Sequence, residues 1–152
     1  MPYSNKRSLV ILMADDDDDD RLLAQDALNE SRVLNSLQCV EDGVELINYL
    51  KRVGKYADKE KYPRPGLILL DLNMPRKDGR EALAEIKADP NLRSIPVVIL
   101  TTSKEEEDKV KGYGLGAASY ITKPVNFEGL VEVMKALGKY WVEIVELPEN
   151  RE

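Results

Sequence analysis

The sequence predicts a doubly wound α/β domain, in which a five-stranded parallel sheet carries helices on both faces. The first observation is a series of short apolar runs with the composition of buried parallel strands. The second is that strand and helix patterns alternate five times along the chain. The third is length, since 152 residues are enough for one compact domain and too few for two ordinary ones.

Five short apolar runs are predicted as the strands. They are residues 9–14, 37–40, 67–70, 97–100 and 120–121. Apart from Gln38 in the second run, these residues are apolar throughout rather than alternating between apolar and polar, which indicates strands covered on both faces.

Apolar side chains at helical spacing mark the helices between these strands. They are Leu23, Ala24, Ala27 and Leu28 in the first helix, Leu46, Ile47, Leu50 and Val53 in the second, and Ala82, Leu83 and Ile86 in the third. The fourth helix is predicted to open at Ser103, which has capping-box spacing to Glu106, and to end within the glycine-containing residues 112–116. The fifth is predicted over residues 126–145, before Pro148.

Residues 51–66 interrupt the alternation and are predicted to form an extended loop before the third strand. They are polar and end in two prolines and a glycine. Their six basic residues are interleaved with Asp58 and Glu60. Because the charges are mixed, we interpret the segment as a solvated loop rather than as a docking site.

Composition excludes several classes of function. A net charge of −6 argues against sequence-independent nucleic-acid binding and against a polybasic membrane anchor. The longest apolar run is six residues, whereas a bilayer span needs about 20, and no signal peptide is recognisable. A lone cysteine, Cys39, favours the reducing cytoplasm. The absence of histidine excludes Ser-His-Asp and Cys-His catalysis and histidine phosphotransfer by the chain itself.

Three aspartates are predicted to meet at one edge of the sheet. Asp15 and Asp16 follow the first strand, and Asp71 follows the third. Ligands bind at the carboxyl ends of parallel strands, so these carboxylates converge if the two strands are neighbours. Like charges so close are unfavourable without a cation, and carboxylate oxygens suit Mg²⁺. Residues 18–20 are interpreted as acids at a helix N terminus.

The same aspartate run can be compared with the motifs of two other kinds of acidic site, in which the spacing of the residues is fixed. An EF-hand loop from Asp15 needs glycine at its sixth position and glutamate at its twelfth, but the chain has Asp20 and Asp26 there. A phosphatase of the haloacid dehalogenase type uses an Asp-x-Asp pair after its first strand, which Asp15 and Asp17 match. Such enzymes usually have a longer chain with further acidic motifs, and this class stays open as the enzyme alternative.

Three segments together resemble the receiver domains of bacterial response regulators. Residues 69–79, Leu-Leu-Asp-Leu-Asn-Met-Pro-Arg-Lys-Asp-Gly, resemble their phosphorylation-site segment. Residues 98–103 resemble their fourth strand with its switch threonine, and residues 120–124 resemble their fifth strand with its lysine. The intervals between acceptor, threonine and lysine also agree, at 30 and 22 residues. The resemblance covers about residues 7–145 and implies the flavodoxin-like strand order 2-1-3-4-5.

The resemblance implies a role for each matched side chain. Asp71 is the nucleophile that accepts a phosphoryl group, and Lys123 pairs with a phosphoryl oxygen, since fixed positive charge is the main aid to phosphoryl transfer. Asp16, Asp71 and the backbone carbonyl of Asn73 are implied as direct Mg²⁺ ligands, with Asp15 acting largely through water.

The resemblance also implies a conformational switch. Thr101 hydrogen-bonds the phosphoryl group once it forms, and Tyr120 then changes rotamer, which alters the face built from the fourth helix, fifth strand and fifth helix. Such a switch operates because the phosphate binds one of two packings better than the other. The peptide bond between Lys123 and Pro124 is expected to be cis, which aims the lysine inward.

The long segment 51–66 and the closing residues 140–148 resemble the cyanobacterial phytochrome response-regulator subfamily. We therefore expect a stand-alone response regulator, phosphorylated by a histidine kinase of phytochrome type, and not an enzyme beyond its own phosphorylation and autodephosphorylation. A binding-only pseudo-receiver is the third hypothesis, but such proteins typically lack the acidic pair, the acceptor or the lysine, all of which are present here.

The receiver unit is expected over residues 7–147, with flexible termini at 1–6 and 148–152. Only 28 residues follow Pro124, so no DNA-binding output domain is expected. Output is then expected through protein contacts or onward transfer of the phosphoryl group.

The predicted fifth helix has more apolar surface than one core face needs. Eight of its side chains cover an arc of about 140°, against about 100° for one buried face. They are Leu130, Val133, Met134, Leu137, Tyr140, Trp141, Ile144 and Val145. A homodimer through this helix is therefore expected, with deeper burial of the helix as the alternative.

Overall fold

The computed structural model describes residues 9–31, 35–111, 114, 116–122, 129, 131–132 and 135–136. In these ranges one parallel sheet has the strand order β2-β1-β3-β4-β5. Its strands are β1 (Leu9–Ala14), β2 (Asn35–Val40), β3 (Leu67–Asp71), β4 (Val97–Thr101) and β5 (Ser119–Thr122). The helices are α1 (Asp18–Ser31), α2 (Gly43–Lys51), α3 (Gly79–Ala88) and α4 (Lys104–Lys111). The predicted fold class and strand order are confirmed.

Alternate side chains of each central strand enter two separate apolar layers. Leu12, Ile68 and Leu70 belong to the layer that α2, α3 and α4 cover. Met13 and Leu69 belong to the opposite layer. Every residue of β3 is buried, and each fully buried aliphatic side chain contributes about 1.5–3 kcal/mol to stability. The central strand is therefore held rigidly from both faces.

The opposite layer is completed by α1 and by one residue from the predicted fifth helix. Ala24, Ala27 and Leu28 of α1 are buried there, and so is Val131. The eight apolar side chains proposed for dimerisation lie outside the described residues.

Helix α2 is shorter than its apolar pattern predicted, and placing Val53 on its buried face was wrong. Arg52 adopts a left-handed conformation with φ 59° and ends the helix. The N–H of Arg52 donates to the carbonyl of Tyr49, and the N–H of Val53 donates to that of Asn48, a common way to satisfy the last carbonyls of a helix. Val53 is left 51% exposed.

The loop after α2 is not simply solvated, as its polar composition had predicted. It contains a 3-10 turn over Gly54–Ala57 that buries Tyr56. The rings of Tyr49, Tyr56 and Tyr62 pack together with centroid separations of 4.9–5.7 Å. The Tyr49 hydroxyl donates to the Pro63 carbonyl at 2.8 Å, and burial raises the pKa of Tyr49 to about 12. An aromatic cluster therefore anchors the loop to α2.

Candidate metal centre

The structure brings Asp15, Asp16 and Asp71 together at the carboxyl edge of the sheet. Ala14 of β1 lies opposite Leu70 of β3, so the aspartates that follow these residues become neighbours. One carboxylate oxygen from each of the three lies within 4.8 Å of the other two. Asp15 and Asp71 are buried, at 0% and 3% exposure, whereas Asp16 is exposed. The cluster therefore opens to solvent on one side.

The aspartate run divides into a site half and a helix half. The N–H of Asp15 donates to the Val40 carbonyl at 3.1 Å, and Asp15 Oδ1 accepts from the N–H of Asp17 at 2.9 Å. Asp17 Oδ1 accepts in turn from the N–H groups of Asp19 and Asp20. Asp17 is thus the N-cap of α1. Sequence reasoning considered Asp17 only for the phosphatase alternative and missed the cap, although an aspartate directly before a helix is the usual signal.

The loop after Asp71 is fixed where it passes two glycines. The N–H of Gly79 donates to the Leu72 carbonyl at 2.9 Å, and the N–H of Gly43 donates to the Lys77 carbonyl at 3.0 Å. A Cβ added at Gly79 would lie 2.5 Å from the carbonyl oxygen of Asp71, and one at Gly43 would lie 2.2 Å from that of Lys77. Both positions therefore need glycine because backbone passes too close for a side chain.

Arg76 holds the same loop against the N terminus of α2. Its φ is 67°, a left-handed conformation that costs free energy in an arginine. Arg76 Nε lies 3.0 Å from Asp42 Oδ2, and Arg76 Nη2 lies 3.4 Å from Glu45 Oε2. Asp42 is also the N-cap of α2. The loop that carries the proposed acceptor is thus preorganised by contacts outside the acidic cluster.

The residues proposed for the switch lie on the other side of the cluster. Thr101 ends β4 and is fully buried, and its hydroxyl is directed toward β5, 3.5 Å from the Ile121 carbonyl. Tyr120 packs partly buried against the core, with Lys111 Nζ 5.4 Å from its ring centroid. Lys123 and the peptide bond that follows it lie outside the described residues, so their predicted geometry stays a prediction.

Glu106 bridges the two loops that flank the cluster. Its Oε2 accepts from Asn73 Nδ2 at 2.9 Å, and its Oε1 accepts from the N–H of Thr102 at 2.8 Å and from the Thr102 hydroxyl at 3.1 Å. Burial alone would raise the pKa of Glu106, but these hydrogen bonds outweigh it and the pKa is lowered. The carboxylate is therefore ionised at neutral pH.

Sequence reasoning had given Glu106 only the role of a capping-box residue. Half of that prediction holds, because Ser103 Oγ accepts from the N–H of Glu106 at 3.1 Å. The side chain of Glu106 turns to Thr102 and Asn73 instead of closing the box, and Asn73 is 33 residues away in the chain. Spacing along a helix carries no signal for such a contact.

The donor set of the cluster fits a hard divalent cation. Three carboxylates offer oxygen atoms at one point, and the exposed side leaves room for water or a further ligand. Two buried carboxylates side by side are costly unless a positive charge compensates them. A carboxylate such as that of Asp71 can act as a nucleophile toward phosphorus.

Comparison with known proteins defines the class. The response regulator receiver domain family matches residues 11–135, and the chain belongs to this family. None of the helices in the described ranges has the length and apolar character that crossing a bilayer needs.

Within the family the chain is similar to phytochrome response regulators. It is 44% identical over 145 residues to the response regulator Rcp1 of Synechocystis sp., which covers 95% of this chain and 96% of the relative. A structure of the phosphorylated cyanobacterial phytochrome response regulator RcpA superposes with a TM-score of 0.79 at 44% identity, covering 90% of this chain and 96% of that one. A Mn²⁺-bound form of Rcp1 superposes with a TM-score of 0.75 at 43% identity and the same coverage.

These matches confirm the predicted family and subfamily. The chain is a receiver of a two-component system, a class of signalling protein whose partner is a histidine kinase, and receivers bind a divalent metal ion. The phosphatase alternative loses its support, because the aspartate run that motivated it lies within the receiver match.

Proposed function

We propose that Asp71 accepts a phosphoryl group from a histidine kinase of phytochrome type in a Mg²⁺-dependent reaction. The observation that carries the proposal is the convergence of Asp71 with Asp15 and Asp16 at the open edge of a rigid sheet. The likeness to phytochrome response regulators over nearly the whole chain supports the type of kinase.

In the proposed reaction an oxygen of Asp71 attacks the phosphorus of a phosphohistidine. A new phosphorus–oxygen bond forms, the phosphorus–nitrogen bond breaks, and its electron pair stays on the imidazole, which is then protonated. The product is an acyl phosphate. Asp71 is suited to this role because β3 and the Gly79 contact hold its backbone in place, so little ordering is needed during transfer.

We assign the metal ligands to Asp16, Asp71 and the backbone carbonyl of Asn73, with Asp15 acting largely through water. A bound Mg²⁺ neutralises charge on the phosphoryl oxygens and on the carboxylates. Asn73 is positioned for this by its own N–H, which donates to Asp71 Oδ1 at 3.3 Å.

Replacing Asp16 by asparagine is expected to weaken Mg²⁺ binding by about tenfold or more, because one of three converging charges is lost. Asp19→Asn is the matched control, since it removes the same charge from the same run at the first turn of α1. Calorimetric titration of Mg²⁺ into both variants measures the difference. Equal losses of affinity would mean that only the overall charge of the run matters.

We also propose the roles of the remaining site residues. Lys123 pairs with a phosphoryl oxygen, Thr101 binds the phosphoryl group, and Tyr120 follows it by changing rotamer. The present contacts of Thr101 and Tyr120 with β5 and Lys111 support a resting arrangement that can be exchanged for another. Thr101 directly follows Leu100, the residue of β4 that pairs with Asp71, and Tyr120 lies opposite Ile99 on the neighbouring strand β5.

The direct test of the proposed function is single labelling. Incubation with acetyl phosphate and Mg²⁺ should add one phosphoryl group per chain, which is then lost slowly, and small phosphomonoesters should not be turned over. Transfer from a phosphorylated phytochrome-type kinase should label the same residue faster. Steady turnover of a phosphomonoester would contradict the proposal.

We further propose a receiver unit over residues 7–147 that acts in the cytoplasm and forms a homodimer through the last helix. The apolar arc of the sequence 126–145 supports the dimer. Light scattering at tens of micromolar, with and without phosphorylation, is expected to give twice the mass of one chain. A monomer in both states would refute the dimer and leave the phosphoryl acceptor untouched.

A further inference from the structure

Glu106 makes hydrogen bonds to both loops that flank the acidic cluster. On the acceptor side it binds the side chain of Asn73. On the switch side it binds both the N–H and the hydroxyl of Thr102, the residue after Thr101. Its own N–H is held by Ser103 Oγ, so the first turn of α4 fixes where the carboxylate lies.

We propose that Glu106 is a positioning residue that ties the switch loop (residues 102–103) to the acceptor loop (residues 72–78) in the unphosphorylated protein. The tie thereby opposes the switch. This inference rests on the proposed function, in which Thr101 binds the phosphoryl group. The Thr101 hydroxyl is now directed to the Ile121 carbonyl. In the proposed switch the loop that follows Thr101 moves toward Asp71, and the N–H of Thr102 then leaves Glu106.

The tie acts on an equilibrium between two conformations. Hydrogen bonds present in only one conformation favour it by their own free energy, and a ligand of the other conformation has to overcome them. Glu106 accepts three such hydrogen bonds in the resting conformation. Removing them should therefore raise the affinity for a phosphoryl group without any change at the acceptor.

The experiment measures binding of beryllium trifluoride, a phosphoryl mimic, to the full chain in the presence of Mg²⁺. Glu106→Ala is expected to bind it about tenfold more tightly than wild type, the change expected when modest resting-state hydrogen bonds are lost. Glu105→Ala is the matched control, because it removes the same charge from the same turn of α4. That control is expected to stay within about twofold of wild type, because solvent and salt screen the exposed charge of Glu105.

Glu106→Gln separates positioning from charge. A glutamine oxygen can accept from the N–H of Thr102, and its NH₂ can donate to the side-chain oxygen of Asn73 once that amide rotates. The variant should therefore behave like wild type, although it has lost the charge. If it binds the mimic as tightly as Glu106→Ala does, simple repulsion of an anion explains the effect and the tie is refuted.

Hydrogen exchange of the Thr102 amide in the unphosphorylated protein tests the tie independently of phosphorylation. Exchange should be faster in Glu106→Ala and unchanged in Glu106→Gln and Glu105→Ala. Unchanged exchange in Glu106→Ala would refute the tie. A wild-type protein that neither binds the mimic nor labels on Asp71 would instead refute the proposed function, even if the exchange rates follow the expected order.

Discussion

Replacing Asp71 by asparagine should abolish labelling of the protein by acetyl phosphate and Mg²⁺. A neutral amide is a far weaker nucleophile than a carboxylate, so no acyl phosphate forms and the label should fall by more than about 100-fold. The fold should be retained, since the two side chains have nearly the same shape and one of two buried like charges is removed. Intact-mass measurement after incubation with the phosphodonor gives the label per chain.

The matched control for this experiment is Asp19→Asn, an aspartate in the exposed first turn of α1. It should label as wild type does, because it lies outside the acidic cluster. Labelling of Asp71→Asn at the wild-type level would show that another side chain is the acceptor and would end the proposed function.

Replacing Gly79 by alanine should lower both stability and the rate of labelling. The new Cβ would lie 2.5 Å from the carbonyl oxygen of Asp71 and 2.8 Å from Cα of Leu72. Both are backbone atoms next to a buried strand, so they cannot give way cheaply. We expect a loss of about 1–3 kcal/mol in the free energy of unfolding, although alanine is the better helix former. Urea unfolding and a labelling time course measure the two effects.

Gly54→Ala serves as the comparison for Gly79→Ala. Gly54 has φ 63° and no atom within 4 Å of an added Cβ, so the only cost is backbone strain of about 1 kcal/mol. Its labelling rate should be that of wild type. If Gly79→Ala proved as stable as wild type and labelled as fast, the backbone around Asp71 and Leu72 would be able to adapt to the added Cβ, contrary to this prediction.

The strands and the acidic cluster could be predicted because each depends on a short-range pattern. Runs that are apolar on both faces, such as residues 67–70, are typical of a sheet covered on both sides, and β3 extends one residue beyond that run. An aspartate that follows such a strand has to lie at the carboxyl edge. The pairing of β1 with β3 was the additional condition, and the structure meets it.

The features that were missed all depend on contacts across the chain or on loop conformation. Tyr49, Tyr56 and Tyr62 lie in α2, in the 3-10 turn and in the loop beyond it, so no single helix or strand pattern predicts that they pack together. Arg52 ends α2 early because its backbone is left-handed, a conformation that composition does not specify for an arginine. The bond between Glu106 and Asn73 joins two loops through side chains alone.

The burial of β3 has a consequence for the lifetime of a phosphorylated Asp71. Regions with the most buried hydrogen-bonded backbone open only when the whole domain unfolds, whereas frayed ends and loops open often. Asp71 closes a strand that is buried along its entire length and paired on both edges. Transient opening of the sheet therefore gives water little access to the acyl phosphate. Hydrolysis of the acyl phosphate then depends on access of water from the solvent-exposed side of the cluster. That access can be regulated by covering or uncovering a few side chains.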